Sequence, residues 1–312
     1  VDSTSSIEGN RVTQAVSGDQ PMSGGRVVAH IYGGLGNQMF QYACGRALAL
    51  RNGADFQIDD REFTAGPGQL FSLHHFNIVR QSGAAGTLPP TKKERVRYLI
   101  WRYFKGTPKF TREKGTAFDP DVLKLKGDIC LHGYWQSERY FEDFSDRIRD
   151  ELTIITSPDE KNRKVLEEIQ NCQAVSVHVR RGDYVSNPKA RAYHGLCSPE
   201  YYQAAARFIA GKLACDPVFY IFSDEPDWAR AHLELPFETR IPGHNDSEHN
   251  YEDMRLMAAC RHHIIANSSF SWWGAWLNPS PDKIVIAPAQ WVANAASENP
   301  HITPESWLRM EG

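Results

Sequence analysis

Cysteine is scarce in this sequence: six among 312 residues, at 44, 130, 172, 197, 215 and 260, with no Cys-x-x-Cys pair. That number and spacing exclude a disulfide framework and fit no zinc site. Mostly buried thiols in a reducing compartment are the expectation. Long apolar runs are missing too, so no stretch reaches the roughly 18 residues that a membrane-spanning helix needs. Basic charge is not in excess: 35 Lys and Arg stand against 38 Asp and Glu, a formal net charge of -3. A general polyanion binder needs a positive balance, so any anion this chain holds is held locally. Residues 1–25 lack the apolar core of a signal peptide and are rich in Ser and Gly. They read as a flexible tail, with the fold beginning near Arg26. The whole chain, 41% hydrophobic and 23% charged, has the composition of a soluble globular protein. Its length suggests two domains, at about 150 residues each, or one large one.

Periodicity then orders the chain. Val27 to Tyr32 reads as a strand, Gly33-Gly34-Leu35-Gly36-Asn37 as its break, and Gln38 to Asn52 as a helix stopped by Gly53. Phe56 to Asp59 reads as a second strand, completing a βαβ start. Between 61 and 170 the pattern is weaker, with a Lys/Arg-rich helix from Lys92 to Lys105 and a helix from Ser157 to Gln170. Asp119-Pro120-Asp121 has the Asp-x-Asp form that holds a metal in many sugar transferases. Here Pro120 and the apolar period after it favour an ordinary helix cap. From 173 onward, short apolar strands (175–179, 218–223, 263–267, 283–287) alternate with helical stretches at 199–213, 226–233, 251–260 and 270–277. That alternation predicts a doubly wound parallel sheet, which binds ligands at the carboxyl ends of its strands.

Three loops fall at such strand ends. In His178-Val179-Arg180-Arg181-Gly182-Asp183-Tyr184, two guanidiniums beside a glycine suit a phosphate or diphosphate. A surface turn with a local ion pair is the plainer alternative. Arg181-Gly182-Asp183 also spells a cell-adhesion tripeptide, but its place directly after a strand makes that a chance match. In Ser223-Asp224-Glu225-Pro226, the acid can read ribose or a guanine edge, or cap the helix that Pro226 starts. In Asn267-Ser268-Ser269-Phe270-Ser271-Trp272-Trp273-Gly274-Ala275-Trp276, hydroxyls and free N–H groups open a helix and can seat an anion. The tryptophans read as core packing ahead of sugar stacking.

These loops, with Gly33 to Ala43, resemble the α-1,2-fucosyltransferases of glycosyltransferase family 11, over about residues 26–290. The resemblance implies an α/β, GT-B-like fold: two Rossmann-like domains facing a cleft. It divides the chain into an acceptor-side domain at 26–170, a GDP-fucose-binding domain at 171–295 and a segment packing back at 296–312. It further implies inverting, metal-independent transfer of L-fucose from GDP-β-L-fucose to the 2-hydroxyl of a terminal β-galactose. No cofactor is expected beyond that donor substrate. Arg180 would hold the β-phosphate and stabilise the leaving GDP, with Arg181 beside it. His178 would lie near the nucleotide, Asp224 would read guanine or ribose, and Ser268 and Ser269 would bond the diphosphate. Gly34 and Gly36 would line the donor site, and Asn37 would reach across the cleft. Asp183 would orient an arginine or take the acceptor's proton; the residues leave both open, along with an acid from the N-terminal half or no dedicated base at all.

The resemblance also implies an oligosaccharide or lipid-linked acceptor, as in O-antigen biosynthesis, and a bacterial cytoplasmic enzyme. The basic and aromatic stretch Lys92 to Lys105 fits contact with an anionic membrane that presents such an acceptor, with an exposed solvated helix as the safer reading. The alternatives are a fucosyltransferase of another linkage (α-1,6 or O-fucosyl), which shares Arg-Arg-Gly-Asp, an NAD-dependent oxidoreductase, and a non-catalytic carbohydrate-binding or adhesion protein. The oxidoreductase reading rests on Gly34-Leu35-Gly36 and Asp59. It fails where the third fingerprint glycine would stand, at Met39.

Overall fold

The glycine turn after the first strand is where the molecule's geometry begins. β1 (Arg26–His30) enters it, α1 (Leu35–Asn52) leaves it, and β2 (Asp55–Asp59) returns parallel to β1. The helix starts three residues before the sequence pattern suggests. Gly53 ends it in the left-handed region at φ 57°, its N–H bonding the carbonyls of Ala49 and Leu50. The computed structural model describes residues 24–63, 70–80, 88–90, 93–104, 108–294 and 297–311, apart from the Asp183 side chain. The tail read at 1–25 therefore lies outside the described residues, save for Gly24 and Gly25, as do Lys92 and Lys105.

The first half continues through α2 (Arg95–Tyr103), β3 (Lys109–Arg112), β4 (Ile129–His132), α3 (Ser145–Glu151) and α4 (Glu160–Gln170). Asp119 caps a short 3-10 turn at Pro120–Lys124, its carboxylate accepting from the Asp121 N–H at 3.0 Å. Asp121 pairs with Lys124, so this Asp-x-Asp is a cap, as its sequence context indicates. The second half runs β5 (Ala174–Val179), α5 (Gly182–Ser186), α6 (Pro188–His194), α7 (Pro199–Ala210), β6 (Val218–Ser223), α8 (Pro226–His232) and β7 (Thr239–Arg240). It then adds α9 (Asn250–Ala259), β8 (His262–Ile264), α10 (Ser269–Leu277), β9 (Val285–Pro288) and β10 (Leu308–Met310).

Two parallel sheets result, in orders β2-β1-β4-β3 and β10-β9-β8-β5-β6-β7. The second is the Rossmann order, in which the chain winds one way from β5 through β6 to β7 and the other way from β8 onward. The crevice between β5 and β8 is the switch point where such sheets take nucleotides. In the first sheet the chain crosses from β2 to β3 at the other edge and returns inward to β4, which sets β4 beside β1. The fold is thus α/β and GT-B-like, with two Rossmann-like units whose switch points face each other across a cleft.

An aromatic seam joins the halves. Phe40 of α1 lies 4.5 Å from the Trp272 ring and 5.0 Å from that of Trp273, and Phe141 stacks on Trp273 at 5.5 Å. Trp272, Trp273 and Trp276 are buried, and the Trp272 indole N–H donates to the Ile302 carbonyl at 2.7 Å. These rings pack the core beneath the cleft, as the sequence pattern favours. The backbones approach closely here: a Cβ on Gly36 would stand 2.5 Å from the carbonyl carbon of Ser269. Near the C-terminus, Asn299 donates to the Gln136 carbonyl at 2.8 Å, and β10 pairs with β9.

The cysteine expectation holds in part. All six are free thiols; Cys44, Cys130 and Cys260 are buried, Cys172 and Cys197 half-buried, and Cys215 exposed. Among the described residues, no helix is long and apolar enough to cross a membrane.

Candidate active site

The cleft has a volume of about 770 Å³ and takes lining residues from both halves. On the second half's side, β5 delivers His178 and Arg180, β6 delivers Ser223 and Asp224, and β8 delivers Asn267 to Phe270. These are the three loops singled out in the sequence, brought together because parallel strands end on one sheet edge.

Arg180 and Arg181 part ways. Successive side chains leaving an extended strand point to opposite sides. Arg180 lines the cleft, its Nη1 3.0 Å from Asp224 Oδ2 and its guanidinium 5.5 Å from the Tyr184 ring centre. Arg181 is not among the cleft-lining residues; its Nε donates to Glu225 at 3.1 Å, and its guanidinium lies 3.6 Å from the Trp228 ring centre. The paired-arginine reading therefore reduces to one arginine in the cleft and one bracing the loop beneath it.

Asp224 serves that loop as well. Its carboxylate accepts the Arg181 backbone N–H at 2.9 Å and pairs with Arg180. Burial raises its pKa, and the Arg180 charge opposes the rise. A Cβ on Gly182 would stand 2.5 Å from Asp224 Oδ2, so glycine there is what lets the carboxylate come in. Asp224 positions Arg180 first; a ligand would meet it as part of that pair. Asp183 lies in α5, and its side chain is outside those described.

His178 is buried, and its Nδ1 has no hydrogen-bond partner among the described residues. Burial, with the Arg180 charge beside it, pushes its pKa down to about 3, so the imidazole is neutral. The residue itself is among those that line the cleft. Asn250 Oδ1, also cleft-lining, is in the same condition.

Ser268 caps α10, its hydroxyl accepting the Phe270 N–H at 3.3 Å. Ser269 donates to Asn37 Oδ1 at 3.0 Å, and Gln136 Nε2 donates to the same oxygen at 2.8 Å. Asn37 is thus a tie between both switch points, holding the first residue of α10 against the β4 loop. Asn267 donates its amide to the His194 and Trp291 carbonyls at 2.7 and 3.2 Å, which closes the adjoining wall. Gly34 and Gly36 both line the cleft but differ in kind. A Cβ on Gly34 meets nothing within 4 Å, whereas Gly36 is a packing requirement.

The first half contributes residues that sequence reasoning missed. Glu113, just past β3, is its acidic group among the cleft-lining residues. The carboxylate accepts backbone N–H groups from Tyr134 at 2.6 Å and Trp135 at 2.8 Å. Those bonds hold a strained turn in which Trp135 sits at φ 57°. Each oxygen keeps a further lone pair free to accept. Burial raises the Glu113 pKa despite both bonds. Tyr134, 43% exposed, stands beside it and meets Tyr32 and, through it, His132, with ring centres 5.2 and 5.3 Å apart. On the far wall, burial pushes Asp253 up to about 6, and Asn245 donates to it at 2.7 Å. No local motif marks Glu113 or Asp253; only the tertiary fold brings them to the cleft.

The chemistry this allows is specific. One face holds a fixed guanidinium and a helix N-terminus, suited to a diphosphate. The opposite face holds a carboxylate and aromatic rings, suited to a hydroxylated, sugar-like molecule.

Comparison with known proteins places the chain. The family model described as Glycosyl transferase family 11 matches residues 119–311. An alpha-1,2-colitosyltransferase of Escherichia coli is 35% identical over 295 residues, covering 91% of this chain and 99% of the relative. An O-antigen biosynthesis glycosyltransferase, WbnK, of Escherichia coli is 30% identical over 307 residues, covering 89% and 98%. A galactoside alpha-(1,2)-fucosyltransferase 1 of Leontocebus fuscicollis is 27% identical over 254 residues, covering 78% of this chain and 63% of the relative.

Proposed function

The chain belongs to glycosyl transferase family 11 and is a fucosyltransferase-type glycosyltransferase; from that premise we propose that it transfers L-fucose from GDP-β-L-fucose to the 2-hydroxyl of a terminal β-galactose, with inversion and without a metal. The observation that carries the reading is the meeting of the two switch points. Arg180, Ser268 and Ser269 face Glu113 and Tyr134 across one cleft, tied through Asn37.

The diphosphate takes the Arg180 guanidinium and the α10 N-terminus, where orphan N–H groups and the helix dipole favour negative charge. Guanine takes His178 and Asp253. An ionised carboxylate accepts from the N1–H and 2-amino edge, and the neutral imidazole supplies the unpartnered Nδ1. The galactose lies against Tyr134. Its 2-hydroxyl oxygen attacks C1 of fucose as the C1–O bond to the β-phosphate breaks. The electron pair leaves with GDP, where Arg180 meets the growing charge, and the hydroxyl proton passes to Glu113. Arginine does here what a metal does elsewhere. The likeness to the alpha-1,2-colitosyltransferase and to the galactoside alpha-(1,2)-fucosyltransferase supports the linkage, and that to the latter supports the sugar.

A second donor has a specific observation behind it: the 35% identity to an alpha-1,2-colitosyltransferase. Colitose is fucose without its 3-hydroxyl, so both sugars offer the same leaving group and the same reacting carbon. Competition between GDP-fucose and GDP-colitose, with titration of GDP and NAD as binding controls, tests the donor. The reading expects GDP to bind, NAD not to bind, and GDP-fucose to be used with the higher kcat/KM. Preference for GDP-colitose would replace the sugar while keeping the site. NAD binding without GDP binding would remove the site altogether.

A further inference from the structure

Of the ten large apolar side chains exposed among the described residues, five occur together in and just after α2. Val96 is 70% exposed, Leu99 50%, Ile100 54%, Tyr103 65% and Phe104 78%. The helix does not need this face for folding. It packs by its other side, with Trp101 and Tyr98 set against Val28, Cys130 and Phe110, and the Trp101 indole N–H donating to the Pro108 carbonyl at 2.6 Å. A surface helix of a protein surrounded by water carries polar residues outward. This one turns an apolar face outward on both accounts of its spacing, with 96, 99, 100 and 103 on one side.

The rim of that face is basic. Lys93, Arg95, Arg97 and Arg102 flank it on the helix and in the turn before it, and Glu94, bound to Arg97 at 2.6 Å, is the acid among them. The whole chain has a formal net charge of -3, so this concentration of positive charge is local. We propose that the α2 face is a docking surface for an anionic lipid bilayer, its apolar side chains entering the headgroup boundary and its basic rim meeting lipid phosphates.

Charge complementarity selects this occupant. A second copy meeting the same face about a two-fold axis would set one basic rim against another, which opposes association. A bilayer accepts both the apolar centre and the cationic margin, and each basic side chain near an anionic surface strengthens binding about fivefold. A run of packed rings links the inner side of α2 to the cleft. Ring contacts run from Trp101 to Phe110 at 5.1 Å, to His132 at 5.5 Å, to Tyr32 at 5.3 Å and to Tyr134 on the cleft wall at 5.2 Å. A chain docked here would hold its acceptor-facing half near the bilayer, where a lipid-linked glycan is presented. The surface does not depend on which sugar is transferred.

Co-sedimentation with vesicles tests it. The full chain is mixed with vesicles of phosphatidylcholine alone, or of phosphatidylcholine containing phosphatidylglycerol. Binding is expected to the anionic vesicles, at least tenfold weaker to the neutral ones, and reduced by high salt. Leu99→Ser/Ile100→Ser/Phe104→Ser and Lys93→Glu/Arg95→Glu/Arg97→Glu should each weaken it at least tenfold. Both triple variants should melt with the wild type, since the altered side chains are exposed. Absence of wild-type binding, equal binding to both vesicle types, or full binding by either well-folded variant would overturn the proposal. So would a concentration-dependent dimer, lost in the apolar variant, from a protein that ignores vesicles.

Discussion

Replacing Gly36 and Gly34 separately by alanine distinguishes the packing of the two halves from the lining of the site. A Cβ at Gly36 would lie 2.5 Å from Ser269 C, 2.6 Å from Phe270 N and 2.7 Å from Ser269 O. All three are backbone atoms, so no side-chain rotation relieves the overlap. Ordinary contact begins at 3.4 Å, and α1 and α10 must therefore separate by about an ångström. Overpacking of this kind costs about 1–3 kcal/mol. In a chain of this size that lowers Tm by about 2–4 °C per kcal/mol. The same displacement moves Ser269 away from Asn37 and shifts the α10 N-terminus relative to Arg180. A misplacement of about 1 Å costs about 10² in rate, so kcat should fall by that order. At Gly34 the backbone has φ -69° and ψ 167°, and an added Cβ meets nothing. Gly34→Ala should keep the wild-type Tm. Thermal melts and steady-state kinetics on both variants form the assay. Wild-type melting and kcat in Gly36→Ala would refute the close-packed seam, as would equal loss of Tm in Gly34→Ala.

Further outcomes follow from the site itself. Arg180→Ala should lower kcat about 10²–10³-fold, the loss usual for a transition-state charge donor, and Arg180→Lys should not restore it because the planar fork is gone. Near-normal turnover in either would remove Arg180 from the chemistry. EDTA should leave activity unchanged; complete loss restored by Mn²⁺ would show that a metal does the work assigned to Arg180. A base must be ionised to act, so the rate should fall as pH drops through the Glu113 pKa, at a pH above the ordinary glutamate value because burial raises it. In Glu113→Gln, kcat should fall about 10²–10⁴-fold and the acidic limb should vanish. A slower variant that keeps the limb would confine Glu113 to holding the Tyr134–Trp135 turn.

What could be read in advance divides along physical lines. Strand β6 is a near-continuous apolar run, and β5 sets Val175, Val177 and Val179 around Ser176 and His178; both are buried on both faces, so Val175–Val179 and Val218–Ser223 stand out without any tertiary knowledge. β3, Lys-Phe-Thr-Arg at a sheet edge, and β7, two residues long, carry no such signal and were not anticipated. Gly182–Ser186, within the first strand-end loop, and Pro188–His194, to which no element was assigned, form α5 and α6, with Asn187 capping the second of these through Lys189 and Ala190. The strand-end loops were legible because their residue types suit anions and their positions follow strands. The division of labour between Arg180 and Arg181 was not, because it depends on which way each leaves β5. Asn37 illustrates the limit. Its amide was expected at the cleft, yet its partners Gln136 and Ser269 lie 99 and 232 residues away. Glu113 and Asp253 sit in segments whose local patterns are those of an edge strand and an ordinary helix.

The most direct test of the central claim is the structure of the product. The purified chain is incubated with GDP-β-L-fucose and a panel of β-galactosides, and the product is solved by NMR. The account predicts α-linked fucose on the 2-hydroxyl of a terminal galactose. Fucose on another hydroxyl, a β-linked product, or GDP-fucose left intact with every acceptor would contradict it.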